Sequence, residues 1–434
     1  MTSKTSVDGV LLLYHRPVLT TDAATVTEHI NAFQHYSRCN IWSLNTQCGF
    51  PAGLAKYRFQ AVVLHYSLFG GWYYYLTEPF LEYLSNCLDT YKVVFLQDEY
   101  RYCRKRFEFL NQYAIDCVYT LVEPSYFDQT YRKFTRVPTL VSHLPGYVCD
   151  DLITAAGRYA LAPDKRTIDV GYRGRKLEFY MGIGAQEKCA IAEGFVARAA
   201  GRQLVCDIGC EETQRIYGEA WYRFLGNCRA VLGVEAGTSI FDLDDSVRTS
   251  CEALIAEFPG ITFQDVHDRL LAPWEGRIPY RTISPRHFEA AALKSCQILF
   301  EGAYSGIMKP LVHYLPLKKD FSNFDEVVRL FRDETVRTRI AEQAFEDLIA
   351  SQRYSYRTFI RQFEDTLKEA GLCLGAKREN HAVSRVISRG LRVRKLRAAM
   401  VEARFLEYVP KWLRRLAKPM FARWWHRAFG FNCR

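Results

Sequence analysis

The segment SPRHFEAAALKSCQILFEGAYSG, residues 284–306, puts carboxylates and glycines where a purely structural segment has little use for them. Glu289 falls early in a short helical pattern, and the apolar run after it ends at Glu301-Gly302. A carboxylate at a helix start can accept two hydrogen bonds from neighbouring hydroxyls, or simply favour the helix dipole. Glycine turns beside cations suit different chemistry, because their backbone N–H groups approach an anion without a bulky wall. Gly302, Ser305 and Gly306 with Lys309 offer one such turn, and VEAGTS, with Gly237, Thr238 and Ser239, offers another. Arg173 and Arg175 in VGYRGRK follow a further apolar run, where solvated loop charge is the plain alternative. Groups able to move protons end the earlier runs: His15, His65, the Asp98-Glu99 pair and His143.

These residues need elements to hold them. Short apolar runs at 9–16, 61–66, 92–97, 116–121 and 138–143 alternate with amphipathic stretches at 22–37, 72–90 and 100–113. Buried strands alternating with helices predict a parallel sheet covered on both faces, with ligands at the strands' C-terminal ends. The connector YALAPDKRT, residues 159–167, leads into a second alternation. Its strands are expected at 167–171, 203–208, 229–235 and 296–301, and its helices at 185–200, 218–227, 285–295 and 323–350. The fold class is therefore α/β, with two Rossmann-like domains at 1–158 and 167–372 facing a cleft suited to a ligand of two halves.

Composition sets the surroundings. The 434 residues are 49% apolar and 24% charged, a globular balance. The 14 cysteines form no CxxC pair and read as small buried hydrophobes in a reducing compartment. The opening MTSKTSVDGVLLLYHRP predicts a strand rather than a signal peptide, and no run approaches the ~18 apolar residues of a spanning helix. The formal charge of +10 is concentrated: residues 377–434 hold 16 Lys and Arg against 3 Glu, and the remainder nets −3. In that tail Trp412, Phe421, Trp424 and Trp425 recur at helical spacing among Arg414, Arg415 and other cations. An aromatic stripe flanked by cations is the composition of an interfacial membrane helix. Packing on the body is the alternative, and nucleic acid is not expected, since a helix facing phosphates gains little from exposed tryptophans. The expected location is cytoplasmic, peripheral on the inner face of the cell membrane.

RHFEAAALKSCQILFEGAYSG resembles the RLFEALACG-type segment, strand and phosphate loop of GT-B glycosyltransferases, in particular the group-1 and CgeB-like proteins of bacterial glycan assembly. The likeness continues through HYLPLKKDFSNFDEVVRLFRDETVRTRIAEQAFEDLIASQRYSYRTF, residues 313–359. It covers roughly residues 167–370, and the first domain only by layout. The resemblance implies a nucleotide diphosphate-sugar as donor, no required cofactor or metal, and a glycan or lipid-linked acceptor bound toward the first domain. It implies that Glu289 takes the ribose diol. Arg173, Arg175, Lys309 and the amides of both glycine loops would hold the diphosphate. Asp98 or His65 would supply a general base if the reaction inverts.

The sequence departs from that pattern in one place. Retaining members carry two glutamates eight positions apart, and eight before Glu289 stands Arg281. Glu235 can take the missing place if 242–280 is an insertion, which leaves the stereochemistry open. DLDD, residues 242–245, reads as a solvated loop rather than a metal motif. Two other functions remain in play. One is a non-catalytic nucleotide- or glycan-binding protein at the membrane. The other is an S-adenosylmethionine-dependent methyltransferase, suggested by LVCDIGCEE at 204–212, although Glu211 and Glu212 stand where that family needs glycine.

Overall fold

The computed structural model describes residues 4–17, 24–71, 73–388, 400 and 403. The membrane residues proposed above (Trp412, Arg414, Arg415, Phe421, Trp424 and Trp425) lie outside the described residues.

The first domain carries strands β1 (Thr5–Tyr14), β2 (Ile41–Asn45), β3 (Tyr57–Leu64), β4 (Tyr91–Phe95), β5 (Cys117–Thr120) and β6 (Thr139–Ser142). They form one parallel sheet in the order β2-β1-β3-β4-β5-β6. Val10 to Leu13 and Ala61 to Leu64 are wholly buried, because helices cover both faces and each apolar side chain must go inside whichever way it points. Those helices are α1 (Ala24–Tyr36), α2 (Glu78–Ser85), α3 (Cys103–Gln112) and α4 (Asp150–Tyr159).

The second domain repeats the plan with β7 (Ile168–Arg173), β8 (Cys206–Gly209), β9 (Cys228–Gly233), the short ribbon β10 (Ala236–Thr238) and β11 (Tyr280–Thr282), then β12 (Cys296–Phe300) and β13 (Leu315–Leu317). The parallel sheet runs β8-β7-β9-β12-β13. Its helices are α5 (Ile183–Ala199), α6 (Glu219–Asn227), α7 (Ser246–Glu257), α8 (Pro285–Ala292), α9 (Phe324–Arg332), α10 (Glu334–Phe345) and α11 (Tyr356–Glu369). The expected α/β class with two Rossmann-like sheets is what the chain adopts.

Two crossings tie the domains together. The first is the connector at 160–167. In the second, α11 returns to the first sheet, where Phe359 and Phe363 meet the edges of Phe33 and Phe95 at 5.2–6.1 Å. Glu364 on that helix accepts hydrogen bonds from Ser37 Oγ at 2.8 Å and Arg38 N at 2.6 Å. Each such buried phenylalanine contributes ~1.5–3 kcal/mol, so the crossing is firmly held. Segment 242–280 lies between the sheet strands β9 and β12. It carries α7 and pins the first domain through Asp242 N to Tyr100 O at 3.0 Å and Tyr102 N to Asp245 Oδ1 at 2.8 Å.

Some elements differ from the pattern-based expectation. The long helix at 323–350 is broken at Asp333, whose carboxylate caps α10 by accepting from Val336 N at 3.1 Å. The helix expected at 72–90 shrinks to α2, and Phe69–Gly70 pairs with Tyr73–Tyr74 as a small antiparallel ribbon instead.

Candidate functional site

From β7 the chain moves outward to the edge strand β8, then crosses back to place β9 on the other side of β7. A crevice therefore opens beyond the C-terminal ends of β7 and β9, where open parallel sheets hold their ligands. A cavity of about 330 Å³ lies there, bounded by Tyr172 to Arg175 on one side and Val231 to Val234 on the other. Arg173, Arg175, Lys188, Arg215 and Arg286 line it, together with the rings of Trp221 and Phe224, and no carboxylate does.

Three of those five cations are already occupied. Arg173 donates to the carbonyls of Tyr172 at 2.9 Å and Asp207 at 2.8 Å, and it pairs with Asp207 Oδ1 at 2.7 Å. Its guanidinium also lies 4.4 Å from the centre of the Phe224 ring. The expected diphosphate ligand thus braces the wall of the cavity, because β8 brings a carboxylate within its reach. Arg215 pairs with Glu212 at 3.0 Å, and Arg286 donates to the Arg173 carbonyl while lying over Trp221. Arg175 and Lys188 remain, and neither makes a side-chain hydrogen bond or ion pair among the described residues.

Lys188 did not figure among the sequence candidates. Burial first, then the charges of Arg175, Arg281 and Arg286, hold its ammonium pKa down at about 8, while Asp98 of the first domain acts in the opposite direction. A signal was present in the sequence. Lys188 stands three, four and seven residues before Ile191, Ala192 and Phe195, all buried, so a lysine occupies the apolar stripe of α5.

Glu289 is not in the first turn of its helix. Ser284 caps α8, Pro285 opens it, and the Glu289 carboxylate accepts the indole N–H of Trp221 at 2.7 Å. Burial raises its pKa, against the pull of Trp221 and Arg286. Trp221 lines the cavity and Glu289 does not. A ribose diol in the cavity would have to compete with Trp221 for that carboxylate.

The glycine loops are more closed than their sequences suggest. Gly237 has φ +86°, and a Cβ there would lie 1.8 Å from the Tyr280 carbonyl oxygen, so glycine is required by the β10–β11 ribbon. Thr238 Oγ1 donates to Ile240 O at 2.7 Å, and Ser239 Oγ accepts from Gly184 N at 2.9 Å at the start of α5. VEAGTS is therefore a ribbon and a helix brace rather than an open phosphate loop. In the other loop Gly302 packs on Glu235, whose carboxyl carbon would be 2.8 Å from an added Cβ. Ser305 Oγ contacts Thr282 Oγ1 at 2.9 Å and accepts from Ile283 N at 3.1 Å. Gly306 and Lys309 are exposed.

Glu235 is buried beneath this loop. It accepts from Tyr304 N at 2.8 Å and from Arg281 Nε at 3.3 Å, and Arg281 also pairs with Glu187, which Lys319 reaches at 2.6 Å. The residue expected to stand in for a catalytic glutamate instead fixes the loop after β12 to the ribbon. A second cavity, about 650 Å³, lies between the domains, with Ser142, His143 and Tyr147 from the first and Arg281, Thr282 and Ser305 from the second.

On the first domain the two proposed bases part company. Asp98 follows β4 in a left-handed conformation, φ +53°, with an exposed side chain near Lys188. His65 is wholly buried; its Nδ1 meets Ser67 Oγ at 2.9 Å and its Nε2 meets His29 Nδ1 at 3.0 Å. Burial, then His143, drops its pKa to about 3. A neutral histidine sealed in the core is not a base for a cleft substrate.

The remaining motifs have structural roles. Strand β8, which carries the methyltransferase-like CDIG, is an edge strand, and a side chain at Gly209 would collide with Gln214 Oε1 at 2.5 Å. Asp242 and Asp245 in DLDD serve as the domain contacts described above, and Asp242 Oδ2 also accepts from Arg248 N at 2.8 Å. Among the described residues no group of three or more His, Cys, Asp or Glu is disposed to hold a metal.

No family model matches the chain. No curated protein matches it either. Among solved structures it is similar to Anabaena Alr3699/HepE in complex with UDP-glucose, at 11% identity and a TM-score of 0.46, covering 83% of this chain and 99% of that one. It is also similar to an alpha-glucosyltransferase in complex with UDP and a 13-mer DNA containing an HMU base, at 10% identity and a TM-score of 0.47, covering 84% and 99%. Sucrose-phosphate synthase from Thermosynechococcus elongatus follows at 12% identity and 0.42, covering 83% and 98%. These likenesses are of overall layout, and the chemistry of the cleft rests on this chain's own residues.

Proposed function

We propose that the protein is a glycosyltransferase that takes a sugar from a nucleotide diphosphate-sugar and passes it to an acceptor hydroxyl in the cleft. The observation that carries this reading is the cavity at the sheet's switch point, lined by five cations and no carboxylate, in which Arg175 and Lys188 make no side-chain hydrogen bond or ion pair among the described residues. A diphosphate leaving group needs such cations, held in place before the reaction, as negative charge builds on it. The rings of Trp221 and Phe224 offer a flat apolar surface for a base.

In this reading the bond between the sugar's anomeric carbon and the diphosphate oxygen breaks, and a bond to the acceptor oxygen forms. The nucleoside diphosphate leaves against Lys188 and Arg175. Asp98, exposed across the cleft, takes the acceptor's proton. The cavity between the domains, with Ser142, Tyr147 and Thr282 on its walls, gives a polyhydroxylated acceptor hydrogen-bonding partners. A glycan or lipid-linked acceptor at the cytoplasmic face of a membrane fits the basic, tryptophan-rich composition of residues 377–434.

The test is direct. Titration of the full chain with the diphosphates of uridine, guanosine, adenosine and cytidine should give saturable binding of one of them, weakened at least tenfold in Lys188→Met. Asp98→Asn should still bind that diphosphate saturably but lose its release from the matching nucleotide-sugar. Equal binding of every diphosphate to wild type and Lys188→Met would overturn the reading.

A further inference from the structure

Where the strands of the second sheet begin, at the opposite end from the donor cavity, a separate cavity of about 490 Å³ opens between α4, the end of α8 and α10. Arg166, Arg229, Lys294 and Arg337 line it, and Glu342 is the only carboxylate among its lining residues.

The charges there do not cancel. Glu342 is taken by Lys294 at 2.7 Å, and Arg229 is taken by Asp169, also at 2.7 Å. Arg166 is only 4% exposed, and every group it donates to among the described residues is neutral. It donates to the carbonyls of Leu161 at 3.0 Å, Cys228 at 2.7 Å and Leu293 at 2.8 Å, and to Ser295 Oγ at 3.0 Å. Arg337 donates to the Phe331 carbonyl at 2.7 Å and pairs with no carboxylate among the described residues. Burial lowers the Arg166 pKa, and Arg337 and Arg229 lower it further, so like charges converge on one space. A buried guanidinium with cations beside it and no carboxylate paired to it is an unfavourable arrangement that a bound anion would relieve.

The rest of the cavity is apolar. Ile153 and Leu161 are large side chains left 39% and 42% exposed at its edge, and Ala292, Ala341 and Phe345 continue the surface inward. Exposed aliphatic groups beside a cationic floor suit a ligand that is charged at one end and greasy at the other.

We propose that this cavity binds a phosphate-headed amphiphile, with the phosphate between Arg166 and Arg337 and the chain along Leu161, Ile153 and Phe345. The site lies at the far end of the sheet from the donor cavity, so it stands or falls independently of the glycosyltransferase reading.

The test compares three probes on the full chain by thermal shift and calorimetry: dodecyl phosphate below its micellar concentration, inorganic phosphate, and dodecyl maltoside. Dodecyl phosphate is expected to bind saturably and raise the melting temperature. Arg337→Leu should weaken that binding at least tenfold and Leu161→Ser severalfold, while Lys188→Met should leave it unchanged. Equal binding of inorganic phosphate would replace the amphiphile with a free anion and overturn the proposal. So would an equal shift from dodecyl maltoside, or an Arg337→Leu protein that folds and binds dodecyl phosphate as tightly as wild type.

Discussion

Across the domain boundary, Asp98 raises the pKa of the Lys188 ammonium that burial and three arginines hold down at about 8. One domain thus tunes the charge of a group in the other domain's cavity. The ammonium is still protonated at pH 7 but loses its proton within the ordinary working range. A bound diphosphate, being anionic, would favour the charged form.

Diphosphate binding should accordingly weaken as pH rises from 7 to 9 in wild type, and the slope should flatten in Lys188→Met. The folded pKa lies below the ordinary lysine value of 10.5, so any stability the group contributes is complete only above that value and is lost as pH falls through 8. At pH 7 the desolvated charge is a net cost. Lys188→Met should therefore melt higher than wild type while binding diphosphate worse. Calorimetry across pH and a melting curve at pH 7 measure both, and a variant that both binds worse and melts lower would point to simple misfolding.

How much of this was legible in the sequence follows from what each signal depends on. Strands buried on both faces, such as β1 and β3, appear as continuous apolar runs and were readable. β2 (IWSLN) and β13 (LPL) are edge strands of five and three residues, too short and too mixed to register. Residue types at strand ends pointed to the end of the sheet where the cavity opens, yet they could not tell which groups were already engaged. Glu235 and His65 have the right chemistry but are consumed by Tyr304, Arg281, Ser67 and His29, partners distant in the chain or set by the turn. Lys188 is easy to pass over for the opposite reason, since a lysine inside an amphipathic helix usually lies on its solvated face and only its place on the apolar stripe of α5 marks it.

Glu235 carries a stability prediction. Its carboxylate holds the Tyr304 amide and the Arg281 side chain inside a buried cluster. Glu235→Ala leaves the Tyr304 amide without its partner and Arg281 with Glu187 alone, at a cost of ~1–3 kcal/mol. Glu235→Gln keeps an acceptor and should lose less. Urea denaturation ranks the two. Equal midpoints for Glu235→Ala and wild type would show that the contacts contribute nothing net.

The buried histidines predict sensitivity to acid. His65 has a pKa of about 3 and His143 of about 4, in both cases chiefly through burial, and His29 lies well below its ordinary value of 6.5. Below pH 6.5 the unfolded chain takes up protons that the folded one refuses, so stability falls as pH drops from 6.5 toward 4. Each histidine can contribute up to ~1.4 kcal/mol per pH unit in that window. The unfolding midpoint should decline between pH 7 and pH 5, and His143→Gln, if folded, should decline less steeply.

Glu28 on α1 predicts the opposite slope. Burial first, then the charge of Glu289 across the domain interface, raise its pKa to about 7, and a hydrogen bond to Cys149 offsets part of this. A carboxyl whose folded pKa exceeds its unfolded value contributes stability that is complete below pH 4.5 and is lost as pH rises through 7. Glutamine imitates the protonated acid at every pH. Glu28→Gln should therefore melt higher than wild type at pH 8, by much less at pH 5, and match it below pH 4.5. Glu289→Gln should reproduce part of the pH 8 gain, because it removes the neighbouring charge but leaves Glu28 buried. Melting curves of both variants at the two pH values measure this coupling, and a Glu28→Gln effect of the same size at pH 5 and pH 8 would show that the carboxyl does not titrate at the interface.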